Sequence, residues 1–200
     1  MMETLDELLS RLRSKDAGTY EHCLRVGKLA NLMAASLNWL PRNEKRNLIM
    51  GCCIHDFGKV MIPNEILNKP SALTAEEWTL MKRHPEMGVH LLTAQSNLDA
   101  SILDIVRFHH ERWDGTGYPN GLQGTNIPVF ARICCILDAF DTMISERPYR
   151  QSLSVPEAIE ELRRQSGSQF DGFYVEQFVS LPESTLRQTV KIRNDAHPVE

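Results

Sequence analysis

Apolar residues recur along nearly the whole chain at the spacing of an α-helix, and the faces they define also carry histidines and aspartates. That combination constrains the fold more than any other feature. Val26, Leu29, Ala30, Met33 and Leu37 form one face of a helix expected to begin near Thr19, with His22 one turn ahead of Val26 on the same face. Leu48 to Ile54 is almost entirely apolar and reads as a buried helix running into His55 and Asp56. Thr74-Ala75-Glu76-Glu77 is a capping-box pattern that opens the next helix. Pro85 forces a break or a fresh first turn immediately after His84, because proline has no N–H and disfavours helix at the residue before it. Ile102, Ile105, Val106, His109 and His110 fall at i, i+3, i+4, i+7 and i+8, so both histidines continue the apolar stripe inward. Phe130 to Ile144 is a further helix that aims Asp138 at the core, and Ser154-Val155-Pro156-Glu157 opens one reaching about Gly167. A final helix starts after Asp171, with a tail from about Asp195. The pattern predicts an all-α, single-domain helical bundle, divided into a lead-in helix over 1–18, a body over 19–194 and a tail over 195–200.

One inward histidine is usually a core residue bonded to a backbone carbonyl. Five (His22, His55, His84, His109 and His110), joined by Asp56 and Asp138, are harder to satisfy, because each buried polar group needs a partner and each buried carboxylate a cation. A shared metal centre satisfies all of them together, and helical bundles build such centres from side chains on facing helices. Seven candidate ligands exceed what one ion takes, so two ions are the economical count.

Between the last of these histidines and Pro128 lies an irregular loop, from Glu111, that holds four of the chain's eleven glycines. Helical bundles normally connect their helices with shorter segments, and long ordered loops usually carry function. Charge bears on what that function can be. A formal charge of −4 excludes a sequence-independent binder of duplex nucleic acid, which neutralises phosphates with clustered Lys and Arg, so an anionic ligand must meet a local positive site. The five cysteines include vicinal pairs inside apolar runs, without the spacing of a disulfide framework or a zinc ribbon, and read as reduced core residues. No window approaches the length of a membrane span, and the amphipathic start lacks a secretory apolar region. The expectation is a cytoplasmic protein.

Five blocks, in this order, resemble the HD-GYP family of bacterial cyclic dinucleotide phosphodiesterases within the HD superfamily. They are HDFGKVMIPNEILNK from His55, MKRHPEMG from Met81, HHERWDGTGYPNGLQGTNIP from His109, ILDAFDTMISERPYR from Ile136 and SQFDGFYVEQF from Ser168. The resemblance implies that His22, His55, Asp56 and Asp138 hold one ion and Asp56, His84, His109 and His110 the other, with Asp56 bridging. It implies a water made nucleophilic between the ions for in-line attack on phosphorus. Catalysis falls to Asp56 and to Lys59, which would contact the phosphate or neutralise the leaving oxygen. Arg147 and Arg150 match the basic pair that holds substrate phosphates, and guanidinium forks suit that task. Tyr118 and Trp113 either stack on a guanine base or pack the loop against the bundle. Some family members place a glutamate four residues before the first histidine and hold a third metal with it. Gly18 stands there in this chain, and Glu21 points about 100° away, so two metals are expected. The family suggests iron or manganese, and the same ligand types accept nickel and zinc. The implied reaction opens cyclic di-GMP to linear pGpG and onward to GMP. The alternatives are hydrolysis of 3'3'-cyclic GMP-AMP, or a non-catalytic module that binds the nucleotide or a diguanylate-cyclase (GGDEF) partner. Family members commonly carry an additional sensory or receiver domain.

Overall fold

The computed structural model describes residues 3–95, 97–145 and 152–191. Among these residues no strand forms, and the chain runs through eleven α-helices: α1 (Leu5–Lys15), α2 (Ala17–Ser36), α3 (Arg42–Ile54), α4 (Asn64–Leu67), α5 (Ala75–Met81), α6 (His84–Gln95), α7 (Ala100–Phe108), α8 (Val129–Ile144), α9 (Val155–Arg164), α10 (Gly172–Val179) and α11 (Glu183–Lys191). A short 3₁₀ helix, Phe57–Met61, follows α3, and another, Gly124–Asn126, precedes α8. The expected capping box of Thr74 and Glu77 is present, as is that of Ser154 and Glu157.

Several boundaries differ from the sequence expectation, each for a local reason. The second helix starts at Ala17, ahead of Thr19, because the Asp16 carboxylate accepts from the Thr19 N–H at 2.6 Å and caps it there. The third begins at Arg42, since its first turns are exposed and polar and only its end is apolar. Pro85 does open a fresh turn, with His84 as the first residue of α6. The seventh helix stops at Phe108. His109 keeps helical geometry as its C-cap, while His110 steps out onto the following turn. The ninth ends at Arg164, because the Gln165 carbonyl collects the N–H groups of Ser168, Gln169 and Phe170 in a tight turn through Gly167 (φ +77°). The single final helix expected after Asp171 is two, α10 and α11, separated at Pro182, which lacks the N–H needed to continue. The tail from Asp195 lies outside the described residues.

Two apolar clusters form the core. The larger gathers α2, α3 and α8–α11 around Met33, Leu48, Phe140 and Phe178. The smaller joins Leu8 of α1, Ile54, Phe57, Val89, Leu92, Ile102 and Val106. Leu8 and Leu12 of α1 are fully buried, contributing about 1.5–3 kcal/mol each. Helix α7 serves both clusters, giving Ile105 to the first and Ile102 and Val106 to the second. Four of the five cysteines are buried and all are free thiols, matching their reading as core residues.

Candidate metal centre

The ends of α3 and α7, the start of α6, and the inward faces of α2 and α8 converge. They bring together all seven of the expected ligands, in two groups whose donor atoms lie within 4.8 Å of one another: Asp56, His84, His109 and His110, and His22, His55 and Asp138. The local folding explains the convergence. Gly58, in the 3₁₀ turn after Asp56, lies so close to α6 that a Cβ there would overlap the His84 carbonyl oxygen, and it would stand 2.6 Å from the Gly88 nitrogen. Only glycine permits that crossing, which seats His84 beside Asp56.

The imidazoles are oriented by their outer nitrogens. His55 Nδ1 donates to the Cys52 carbonyl at 2.8 Å, His84 Nδ1 to Met81 at 2.8 Å, and His109 Nδ1 to Val106 at 3.0 Å. A carbonyl only accepts, so each Nδ1 carries a proton, and in the neutral form of each ring the lone pair lies at Nε2. Those Nε2 atoms face inward. His84 Nε2 and His109 Nε2 stand 3.3 Å apart, and His84 Nε2 lies 3.2 Å from Asp56 Oδ1. Burial, joined by the neighbouring imidazoles, keeps His109 well below the usual histidine range, and burial with His84 pushes His110 down to about 3. Lone pairs facing one another and facing a carboxylate repel unless a cation sits among them. His55 Nε2 and Asp56 Oδ1 are buried without a hydrogen-bond partner among the described residues. The residues present therefore fit divalent metal ions, for which neutral imidazole and ionised carboxylate are suited donors.

Asp56 divides its oxygens between the groups. Its Oδ1 faces His84 and His109, at 3.2 and 3.8 Å, and its Oδ2 faces His55 and His22, at 3.5 and 3.8 Å. Lys59 Nζ donates to Oδ2 at 2.6 Å, so this lysine belongs to the centre and not to the free surface. Burial opposes the charge on Asp56, but the Lys59 ammonium beside it outweighs burial and holds the carboxyl well below its ordinary range. Asp56 likewise outweighs burial at Lys59 and raises its pKa.

Three functional residues went unnoticed in the sequence. Asp141 is buried and accepts from His22 Nδ1 at 2.7 Å, fixing the ring so that Nε2 reaches Asp138 Oδ1 at 3.0 Å. Arg25 clamps Asp141 in turn, Nε to Oδ1 at 2.7 Å and Nη2 to Oδ2 at 2.9 Å. Burial works against protonating His22, but Asp138 and Asp141 prevail and raise it to about 9. The available signal was spacing, since Asp141 follows Asp138, and Arg25 follows His22, by one helical turn. Glu111 is the third. Buried directly after the paired histidines, its carboxylate accepts from the Asn120 and Leu122 N–H groups at 2.7 and 3.0 Å and so shapes the loop. Gly117 lets that loop fold back, because a Cβ there would lie 2.6 Å from Glu111 Cα and His110 O.

Other expected residues separate. Tyr118 lines the cavity above the centre with its ring stacked on His110, centroids 4.7 Å apart. Trp113 packs within the loop region, under the Arg132 guanidinium at 5.7 Å, and does not face the cavity. Gly18 lines the cavity without a ligand atom, and Glu21 is exposed. Arg147 and Arg150 lie outside the described residues. Cys23 Sγ approaches His55 Nδ1 at 3.9 Å, but burial raises its pKa well above the ordinary value and keeps it a thiol. The cavity itself encloses about 1070 Å³ and reaches from the ligands to α4 and α5 on one wall and to Gln165 and Gln169 on another.

A family model described as HD domain matches residues 6–173. The chain is 39% identical over 170 residues to the cyclic di-GMP phosphodiesterase response regulator RpfG of Xanthomonas campestris pv. campestris, covering 84% of this chain and 45% of that protein. It is 38% identical over 183 residues to the 3'3'-cGAMP-specific phosphodiesterase 2 of Vibrio cholerae, covering 88% of this chain and 34% of that protein. The chain thus spans less than half the length of either relative. Among solved structures, Bd1817, an HDG"Y"P protein from Bdellovibrio bacteriovorus, superposes with a TM-score of 0.66 at 22% identity, over 83% of this chain and 51% of that one, which is a likeness of fold.

Proposed function

The chain belongs to the HD domain family, and from that premise we propose that it is a metal-dependent phosphodiesterase hydrolysing cyclic di-GMP. The observation that carries the reading is the ring of inward Nε2 atoms around Asp56 at the base of a cavity far larger than metal ions need. We assign His22, His55, Asp56 and Asp138 to one ion and Asp56, His84, His109 and His110 to the other, with iron or manganese as the metals. Bound there, such ions lower the pKa of water and polarise a phosphoryl oxygen. The chain's own residues supply the rest. Asp56 holds the two groups in register through its separate oxygens. The backbone carbonyls of Cys52, Met81 and Val106 keep three imidazoles in the tautomer that binds metal. Lys59 presents its ammonium on the cavity wall, where it can donate to a phosphate oxygen or to the leaving 3'-oxygen. Arg147, Arg150 and Tyr118 complete the proposed substrate contacts.

A second substrate is favoured by one observation, the 38% identity to a relative named for 3'3'-cGAMP. The test is hydrolysis of cyclic di-GMP and 3'3'-cGAMP side by side by protein reconstituted with Fe(II) or Mn(II), with products resolved by chromatography. Release of pGpG, then GMP, is the expected result. Protein that carries about two ions per chain yet leaves both nucleotides intact would overturn the proposed reaction and leave a binding module. We place this activity in the cytoplasm, in keeping with the finding that no described helix is long and apolar enough to cross a membrane, and propose a receiver domain or a GGDEF-domain protein as its partner.

A further inference from the structure

Three aromatic side chains, Phe170, Tyr118 and Trp78, line the cavity, and they differ in what their ring faces already touch. Phe170 is 3% exposed and belongs to the larger core. Tyr118 has one face against His110. Trp78, in α5, is 49% exposed while lining the same cavity as Asp56, His84 and His110. Its helix is built to hold it there. The capping box of Thr74 and Glu77 fixes the first turn, and Lys69 Nζ pairs with Glu77 Oε2 at 2.6 Å, tying α5 to the segment after α4. Met81 and Leu67 join Trp78 on this wall, while Asn68 and Lys82 supply polar groups beside it. An indole left half in solvent beside a reactive centre is unused apolar surface, and its flat face matches a nucleobase, which stacks on aromatic rings whatever its sequence.

We propose that Trp78 is a stacking platform for one purine of the substrate, holding it so that the phosphodiester reaches the metal centre. This rests on the cyclic-dinucleotide reading of the same site and adds to it a base-binding residue outside the recognised blocks of ligands. Trp78 is not among the donor groups of the centre, so its role is binding, and the reaction itself does not pass through it.

The test compares metal-loaded wild type, Trp78→Ala and Trp78→Phe on cyclic di-GMP and 3'3'-cGAMP, and on bis(p-nitrophenyl) phosphate, a diester without a purine. Trp78→Ala should raise KM for the preferred cyclic dinucleotide by about 5- to 150-fold, the equivalent of roughly 1–3 kcal/mol for one stacked base. Trp78→Phe should recover most of the loss, and turnover of the small diester should stay at the wild-type rate. An unchanged KM in Trp78→Ala overturns the platform, as does an equal loss on the small diester, which would mean that the centre itself had been disturbed. Equilibrium binding by calorimetry separates this proposal from the reaction it rests on. If no diester is cleaved but Trp78→Ala still weakens nucleotide binding, the platform stands and the hydrolase reading falls. If wild-type protein binds neither cyclic dinucleotide, the platform falls as well.

Discussion

Arg25, Asp141 and His22 form a chain of contacts in which each residue decides the geometry of the next. The guanidinium fork fixes the carboxylate, the carboxylate fixes the imidazole, and the imidazole delivers Nε2 to Asp138. Outer partners of this kind typically contribute 10- to 100-fold to metal affinity. Asp141→Asn should therefore weaken loading of one ion by about that factor while the other persists, as read by metal titration with elemental analysis. The sequence made the converging histidines and aspartates legible, because imidazoles and carboxylates stood where an apolar stripe should have continued. It did not make the roles of Arg25, Asp141 or Glu111 legible, because their partners are single side chains or distant N–H groups that the apolar pattern does not reveal. Lys59 shows the opposite balance. Its ammonium holds Asp56 Oδ2, the oxygen that would serve an ion, so in the proposed site it would compete with metal as well as contact substrate. Lys59→Met should bind metal more tightly in a chelator-competition assay and yet hydrolyse more slowly.

At the scale of elements, the crossing of the 3₁₀ turn Phe57–Met61 with α6 sets the position of His84. Gly58→Ala has no room for its methyl, because the obstacle is the His84 backbone and not the end of a flexible side chain. The variant should lose about 1–3 kcal/mol of stability in urea unfolding, and should also lose metal, since relief requires α6 to move away from Asp56. A surface alanine substitution would do neither. Helix positions were readable from caps and periodicity wherever the deciding contact was local, as at Thr74 and Ser154. Asp16 and Pro182 were local signals too, but the apolar pattern continued past them and masked the boundary. The Gly58 contact could not be read, because it pairs segments that are neighbours only after folding.

For the whole molecule, the centre lies where elements of both apolar cores meet, so ions bound there tie the two together. Ions that bind only the folded state at about 100 times their Kd add roughly 2.7 kcal/mol, which for a chain of this size raises Tm by about 5–10 °C. Thermal unfolding with and without a chelator should show that drop, and restoring Mn(II) should reverse it. An unchanged Tm would mean that the inward imidazoles need no cation. The two groups of ligands also differ in when a growing chain can complete them. Asp56, His84, His109 and His110 have all been synthesised once His110 is added, whereas His22 and His55 must wait for the carboxylate of Asp138 on α8. A chain that ended between those points would contain every donor of the first group and lack one of the second, so the proposed pair of ions is a property that only a chain including α8 can have.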